Sequence, residues 1–174
     1  MADLTPIEVT NLDGYGNPPL DWARARDRLA NDLAGPDVPY YLNTVRPDGL
    51  PHSAGIGARW LDGDLCIVTG PGTRKTRNLL ANPACTVTAR LDTIDLVLEG
   101  TAVRTVDPAT LAVAARLYSA AGWPAEVADD GLTAPYSAPS AGPPPWHLYL
   151  FTFHTAFGVA TVEPSGATRW RFAR

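Results

Sequence analysis

An antiparallel β-barrel with helices at its mouth is the fold class the sequence predicts. Strand-like runs outnumber helical ones, and tight turns of hairpin composition separate the early runs. Length adds a third observation: 174 residues suffice for one domain that buries about 70% of the surface its unfolded chain exposes. A single domain over residues 1–174 is therefore expected. It divides into an N-terminal arm and helix over 1–36, barrel strands with a basic helix start over 37–107, a helix and proline-rich connection over 108–145, and C-terminal strands over 146–174.

Asp21 has the residue type of an N-cap, and Trp22, Ala25, Leu29 and Leu33 recur at helical spacing until Gly35-Pro36 stops the run. Val38 to Val45 reads as a strand, Arg46-Pro47-Asp48-Gly49 as a turn, and Leu50 to Leu61 as the return strand. Asp62-Gly63 turns the chain again into Asp64 to Thr69, which completes a meander. After a short helix closed by Asn82-Pro83, Ala84 to Arg90 and Asp95 to Arg104 alternate as two further strands. Pro108 opens an alanine-rich helix through Tyr118. Six prolines between Trp123 and Pro145 interrupt any period, so this stretch is expected to be a long connection without elements of its own. Trp146 to Phe153, Ala156 to Ala160 and Thr168 to Phe172 read as late strands.

A formal net charge of −4 argues against the broad basic face of a nucleic-acid-binding protein. No apolar run approaches the ~20 residues a membrane helix needs, and Met1 to Pro6 has neither a basic start nor an apolar core. A soluble cytoplasmic protein without membrane or nucleic-acid partners is the expectation. Cys66 and Cys85 each sit in an apolar run that suits a small buried thiol, and no disulfide is implied. His52, His147 and His154 lack metal-ligand spacing, so no metal site is expected.

Arginine supplies 13 of the 14 basic residues, and the single lysine, Lys75, stands between Arg74 and Arg77 directly after a strand. Gly70-Pro71-Gly72 opens the segment, Thr73 is placed to cap a helix, and Leu79-Leu80 gives that helix an apolar side. Strand, glycine-rich turn and basic helix start form an anion-binding arrangement, because the positive helix end and cationic side chains both favour a phosphate. The same residues also suit a solvated basic helix face, and composition leaves both readings open.

The run Thr44 to His52, the turn Asp62-Gly63-Asp64-Leu65, and Thr73 to Leu79 followed by Asn82-Pro83 occur in an order that resembles the pyridoxamine 5′-phosphate oxidase-like superfamily. These are split-barrel proteins that bind FMN or deazaflavins. The resemblance is detailed from about Tyr40 to Val106 and looser to Phe172. It implies a mainly β fold with flanking helices, an antiparallel six-stranded split β-barrel, and a homodimer with two equivalent cofactor sites at the subunit interface. It also implies that Arg74, Lys75 and Arg77 hold the cofactor phosphate, with Asn78 bonding the phosphate or orienting the helix start. Thr69 and Gly70 would lie beside the ring or its tail, and the strand from Ser53, Ala54, Gly55 and Ile56 to Ala58 would line the ring.

True oxidases of the superfamily carry an arginine in the strand matching Ser53 to Ala58, and this chain has none there. Arg74-Lys75-Thr76-Arg77-Asn78-Leu79 looks closer to the deazaflavin-dependent reductase branch, which uses F420. The resemblance thus implies F420-dependent hydride transfer to a small unsaturated or carbonyl substrate. The alternatives are an FMN-dependent oxidase of the pyridoxamine phosphate type and a non-catalytic carrier of flavin, F420 or haem. No catalytic residue or proton donor is named by the sequence. Trp60, Trp123, Tyr136, Trp146 and Trp170 are candidates for an apolar substrate wall, weighed against a plain core role for each.

Overall fold

The computed structural model describes residues 4–32 and 39–174. In chain order the elements are β1 (Glu8–Asn11), α1 (Trp22–Asp32), β2 (Tyr40–Val45), β3 (Pro51–Ile56), β4 (Ala58–Leu61) and β5 (Asp64–Thr69). There follow α2 (Arg74–Ala81), β6 (Ala84–Arg90), β7 (Ile94–Thr105), α3 (Pro108–Ala120), β8 (Glu126–Ala128), β9 (Gly131–Thr133), β10 (His147–Ala160) and β11 (Ala167–Arg171). Leu33, Gly35-Pro36 and Val38, read above as helix, stop and strand start, lie outside the described residues.

Hairpin chemistry sets the early topology. Gly49 takes a φ of +82°, and its N–H donates to the Arg46 carbonyl, which turns β2 into β3. Asp62 and Gly63 both have positive φ and join β4 to β5 as a two-residue loop. β3 and β4 are two pieces of one bent strand, separated at Gly57. The first pairs with β2 and the second with β5. β5 pairs with β10, β10 with β7, β7 with β6, and β6 with β2, all antiparallel, so the hydrogen-bonded path returns to its start.

Six segments make this ring when 51–61 counts as one, whereas the whole sheet holds nine strands. The two others, β11 and β1, extend it along the second half of β10. β1 has no local signal, since its partner lies some 160 residues away in sequence. The first two late strands, expected separately, are one element, β10, with a register shift between Phe153 and Thr155, while Thr168 to Phe172 falls on the separate β11. The connection expected to be without elements contains the β8–β9 hairpin, tied down by backbone hydrogen bonds between Leu132 and Trp146.

Alternation along the strands divides the core. On β5, Leu65 and Ile67 are fully buried among Leu42, Leu98 and Phe151 inside the barrel, with Trp22 of α1 packed at one end. Cys66, between them, faces outward into a second cluster with Leu111, Ala115 and Tyr118 of α3 and Leu132 of β9. Burial pushes the Cys66 and Cys85 thiols up to about 12, the Asp64 carboxylate adding to the effect at Cys66. Trp170 is wholly buried against Trp22, and Trp60 packs on Phe153, so both serve the core. No helix among the described residues is long and apolar enough to cross a membrane.

Candidate functional site

Three threonines build the turn that follows β5. Thr73 caps α2, its hydroxyl oxygen accepting the Thr76 N–H at 3.3 Å. The Thr76 hydroxyl, fully buried, donates to the Gly70 carbonyl at 2.8 Å, while the Thr69 and Thr73 hydroxyls lie 3.0 Å apart. This network fixes the glycine-rich turn against the end of the barrel. Asn78 secures the next turn of α2: its amide donates to the buried Thr44 hydroxyl on β2 at 2.9 Å. Its Oδ1 is buried and accepts from none of the described residues.

Beside the turn lies a cavity of about 310 Å³ on the outer face of β3, β4 and β5. Gly55, Ile56, Thr69, Gly70 and Lys75, five of the ten residues singled out from the sequence, line it. Ser53, Ala54, Arg74, Arg77 and Asn78 do not. Ser53 sits farther along β3, opposite Asn43, and Ala54 opposite Leu42. Arg74 and Arg77 are exposed, with Arg77 donating to the Gly72 carbonyl at 2.7 Å.

Arg59 is a cavity residue that the sequence reading passed over. Strand alternation was the signal that could have found it, because Gly55, Gly57 and Arg59 share one face. Its guanidinium lies over the Tyr118 ring, 5.2 Å from the centroid, and Nη1 donates to the Ala58 carbonyl at 2.7 Å. Nε is buried and meets no acceptor among the described residues. The Tyr118 hydroxyl lies 2.9 Å from both the Gly57 and Cys66 carbonyls and donates to either, which holds the ring in place. Burial pushes this phenol far above its ordinary range, so it stays protonated.

The remaining wall is the proline-rich connection. Trp123 donates from its indole nitrogen to the Tyr136 carbonyl at 2.7 Å, and Trp146 to the Gly142 carbonyl at 2.9 Å. The two indoles lie 5.6 Å apart. Ala141 presses so closely on Gly70 that a Cβ there would sit 1.7 Å from the Ala141 carbonyl oxygen. Of the wall candidates, Trp123, Tyr136 and Trp146 do line the cavity.

Among the described residues no Asp or Glu lines this space, whereas Lys75 and Arg59 both do. Half-burial holds the Lys75 ammonium below its ordinary range. A cavity of this size with two cationic groups, an aromatic wall and an open glycine strand fits an anionic ligand that has a flat apolar body. A flavin-type cofactor with its phosphate is such a ligand, so the donor set fits that group.

The family model for pyridoxamine 5′-phosphate oxidase matches residues 39–142, more than half the chain. The chain belongs to the pyridoxamine 5′-phosphate oxidase family. Solved structures share its fold at low identity. A pyridoxamine 5′-phosphate oxidase-related, FMN-binding protein from Nostoc punctiforme is 19% identical, covering 92% of this chain and 93% of its own with a TM-score of 0.56. An F420 reductase is 21% identical over 72% of this chain and 93% of its own, with a TM-score of 0.51. General Stress Protein 26 of Bacillus anthracis is 17% identical over 78% and 93%, with a TM-score of 0.52. No curated protein is significantly similar to the chain in sequence. The matched segment of this oxidase-family chain contains the capped turn, the cavity strand and most of the covering connection.

Proposed function

We propose that this protein binds a flavin-type cofactor, F420 in preference to FMN, and works as an oxidoreductase that passes hydride to a small unsaturated or carbonyl compound. The observation that carries the reading is the half-buried Lys75, without a carboxylate partner among the described residues, at the threonine-capped turn beside an open glycine strand. In this reading Lys75, Arg74 and Arg77 hold the phosphate-bearing tail, and Asn78 orients the helix start from its bond to Thr44. The backbone from Ser53 to Ile56 runs along the ring, with Thr69 and Gly70 beside it. Gly55 suits that place, since nothing lies within 4 Å of where its Cβ would be.

When bound, the reduced ring supplies a hydride to an acceptor stacked on its open face. Trp123, Tyr136 and Trp146 exclude water from that face and orient the acceptor. The preference for F420 rests on the Arg74 to Leu79 motif and on the absence of arginine between Ser53 and Ala58. A homodimer belongs to the same reading, supported by exposed Tyr41 and Val45 on β2 and Val97 and Val103 on β7, apolar surface that a second copy would cover.

Offering reduced F420 and reduced FMN with a panel of enones and quinones tests the activity. F420 is expected to be oxidised much faster than FMN. Copurification with FMN together with oxygen-dependent oxidation of pyridoxamine phosphate would overturn the cofactor choice. Tight F420 binding without any turnover would make the protein a carrier.

A further inference from the structure

Arg59 and the capped turn both line the cavity. Arg59 pairs with Cys66, four residues before Gly70 on the same extended strand, which sets their backbones about 13 Å apart at ~3.3 Å per residue. The Arg59 guanidinium is tied to the Ala58 carbonyl and the Tyr118 ring rather than to any group of the turn. With the cofactor phosphate at the turn, Arg59 is left as a second cationic group facing the same space.

From this we infer that Arg59 recognises the carboxylate of an anionic substrate whose conjugated or aromatic body lies between the open face of the cofactor ring and the Trp123–Trp146 wall. The guanidinium is already positioned: Tyr118 supports its plane and the Ala58 carbonyl takes Nη1. Nη2 makes no hydrogen bond to the described residues and is the donor left for a carboxylate oxygen, while Nε is enclosed and meets no acceptor among them. A carboxylate oxygen on Nη2 gains a charge-assisted hydrogen bond from a guanidinium that needs no reordering to make it. Ile56, Trp123 and Trp146 present apolar surface to the rest of the ligand, and among the described residues no acidic side chain lines the cavity to repel its charge. The protein therefore selects conjugated carboxylic acids over their neutral counterparts. This deepens the proposed function and rests on the cofactor phosphate occupying the turn.

Calorimetric titration with trans-cinnamate and with neutral cinnamamide tests the assignment, on protein with and without saturating F420. The wild type is expected to bind cinnamate at least tenfold more tightly than the amide. Arg59→Met is expected to erase that preference while F420 affinity stays within twofold, and Arg59→Lys, which keeps the charge without the fork, to fall between. Equal binding of acid and amide by the wild type, or an undiminished preference in Arg59→Met, overturns the inference. So does a loss of F420 affinity in Arg59→Met as large as in Lys75→Ala, which would place Arg59 on the cofactor. If F420 fails to bind while the acid preference persists and depends on Arg59, the carboxylate site stands and the cofactor reading falls. Unchanged near-ultraviolet circular dichroism of each variant shows that folding is not what was measured.

Discussion

The capped turn and the proline-rich connection face each other across one cavity, yet they are held by different means. Within the turn, each hydroxyl contact spans at most seven residues, from Thr69 to Thr76. The connection depends on distant anchors: Trp123 on Tyr136, Leu132 on Trp146, and Ala141 against Gly70. A short-range polar network is specified by its own sequence, while the opposite wall is specified only once the barrel exists. The turn should therefore respond to loss of a single hydroxyl, and the connection to any change of shape beneath it.

The strongest way to break this contrast is Gly70→Ala, where the new methyl meets the Ala141 carbonyl. We expect a loss of about 1–3 kcal/mol in chemical denaturation and new proteolytic cleavage within residues 134–145. Gly72→Ala, two residues on, meets nothing within 4 Å and should stay within about 0.5 kcal/mol of wild type. Equal effects would show that the connection does not rest on Gly70. Next in size is Thr73→Ala, which removes the cap of α2 and its hydroxyl partners and should cost about 1–2 kcal/mol. Trp123→Phe keeps an aromatic ring but loses the bond to Tyr136; being largely solvent-facing, that bond should be worth about 0.5–1 kcal/mol in thermal melting.

The smallest effect concerns charge. Burial depresses the Lys75 pKa below its ordinary 10.5, so between the depressed value and 10.5 the unfolded chain binds more protons than the folded one. Stability of the ligand-free protein should then rise with pH through that window, and less so in Lys75→Met. Identical pH profiles from 8 to 11 would show that the ammonium is not desolvated by the cavity.

Legibility followed the same division. Hairpin turns at Gly49 and Asp62-Gly63, the Thr73 cap and the alternation of β6 and β7 are local patterns, and the chain follows them. β1 and the β8–β9 hairpin were not legible, because each is stabilised by partners supplied from far away in sequence. Half the site residues proposed from sequence gather at the cavity because turn chemistry and strand face determine them. Arg59 was within reach of the period-two argument, but the support its guanidinium receives comes from Tyr118, 59 residues later, which no local pattern announces.

The central claim is that the capped turn grips the phosphate of a flavin-type cofactor through Lys75. Titrating F420 and FMN into wild type and Lys75→Ala measures it directly. Removing one charge-assisted hydrogen bond should weaken binding by about 1.5–3 kcal/mol, roughly one to two powers of ten in Kd. Equal affinities in the two proteins would contradict the account and place the cofactor phosphate elsewhere.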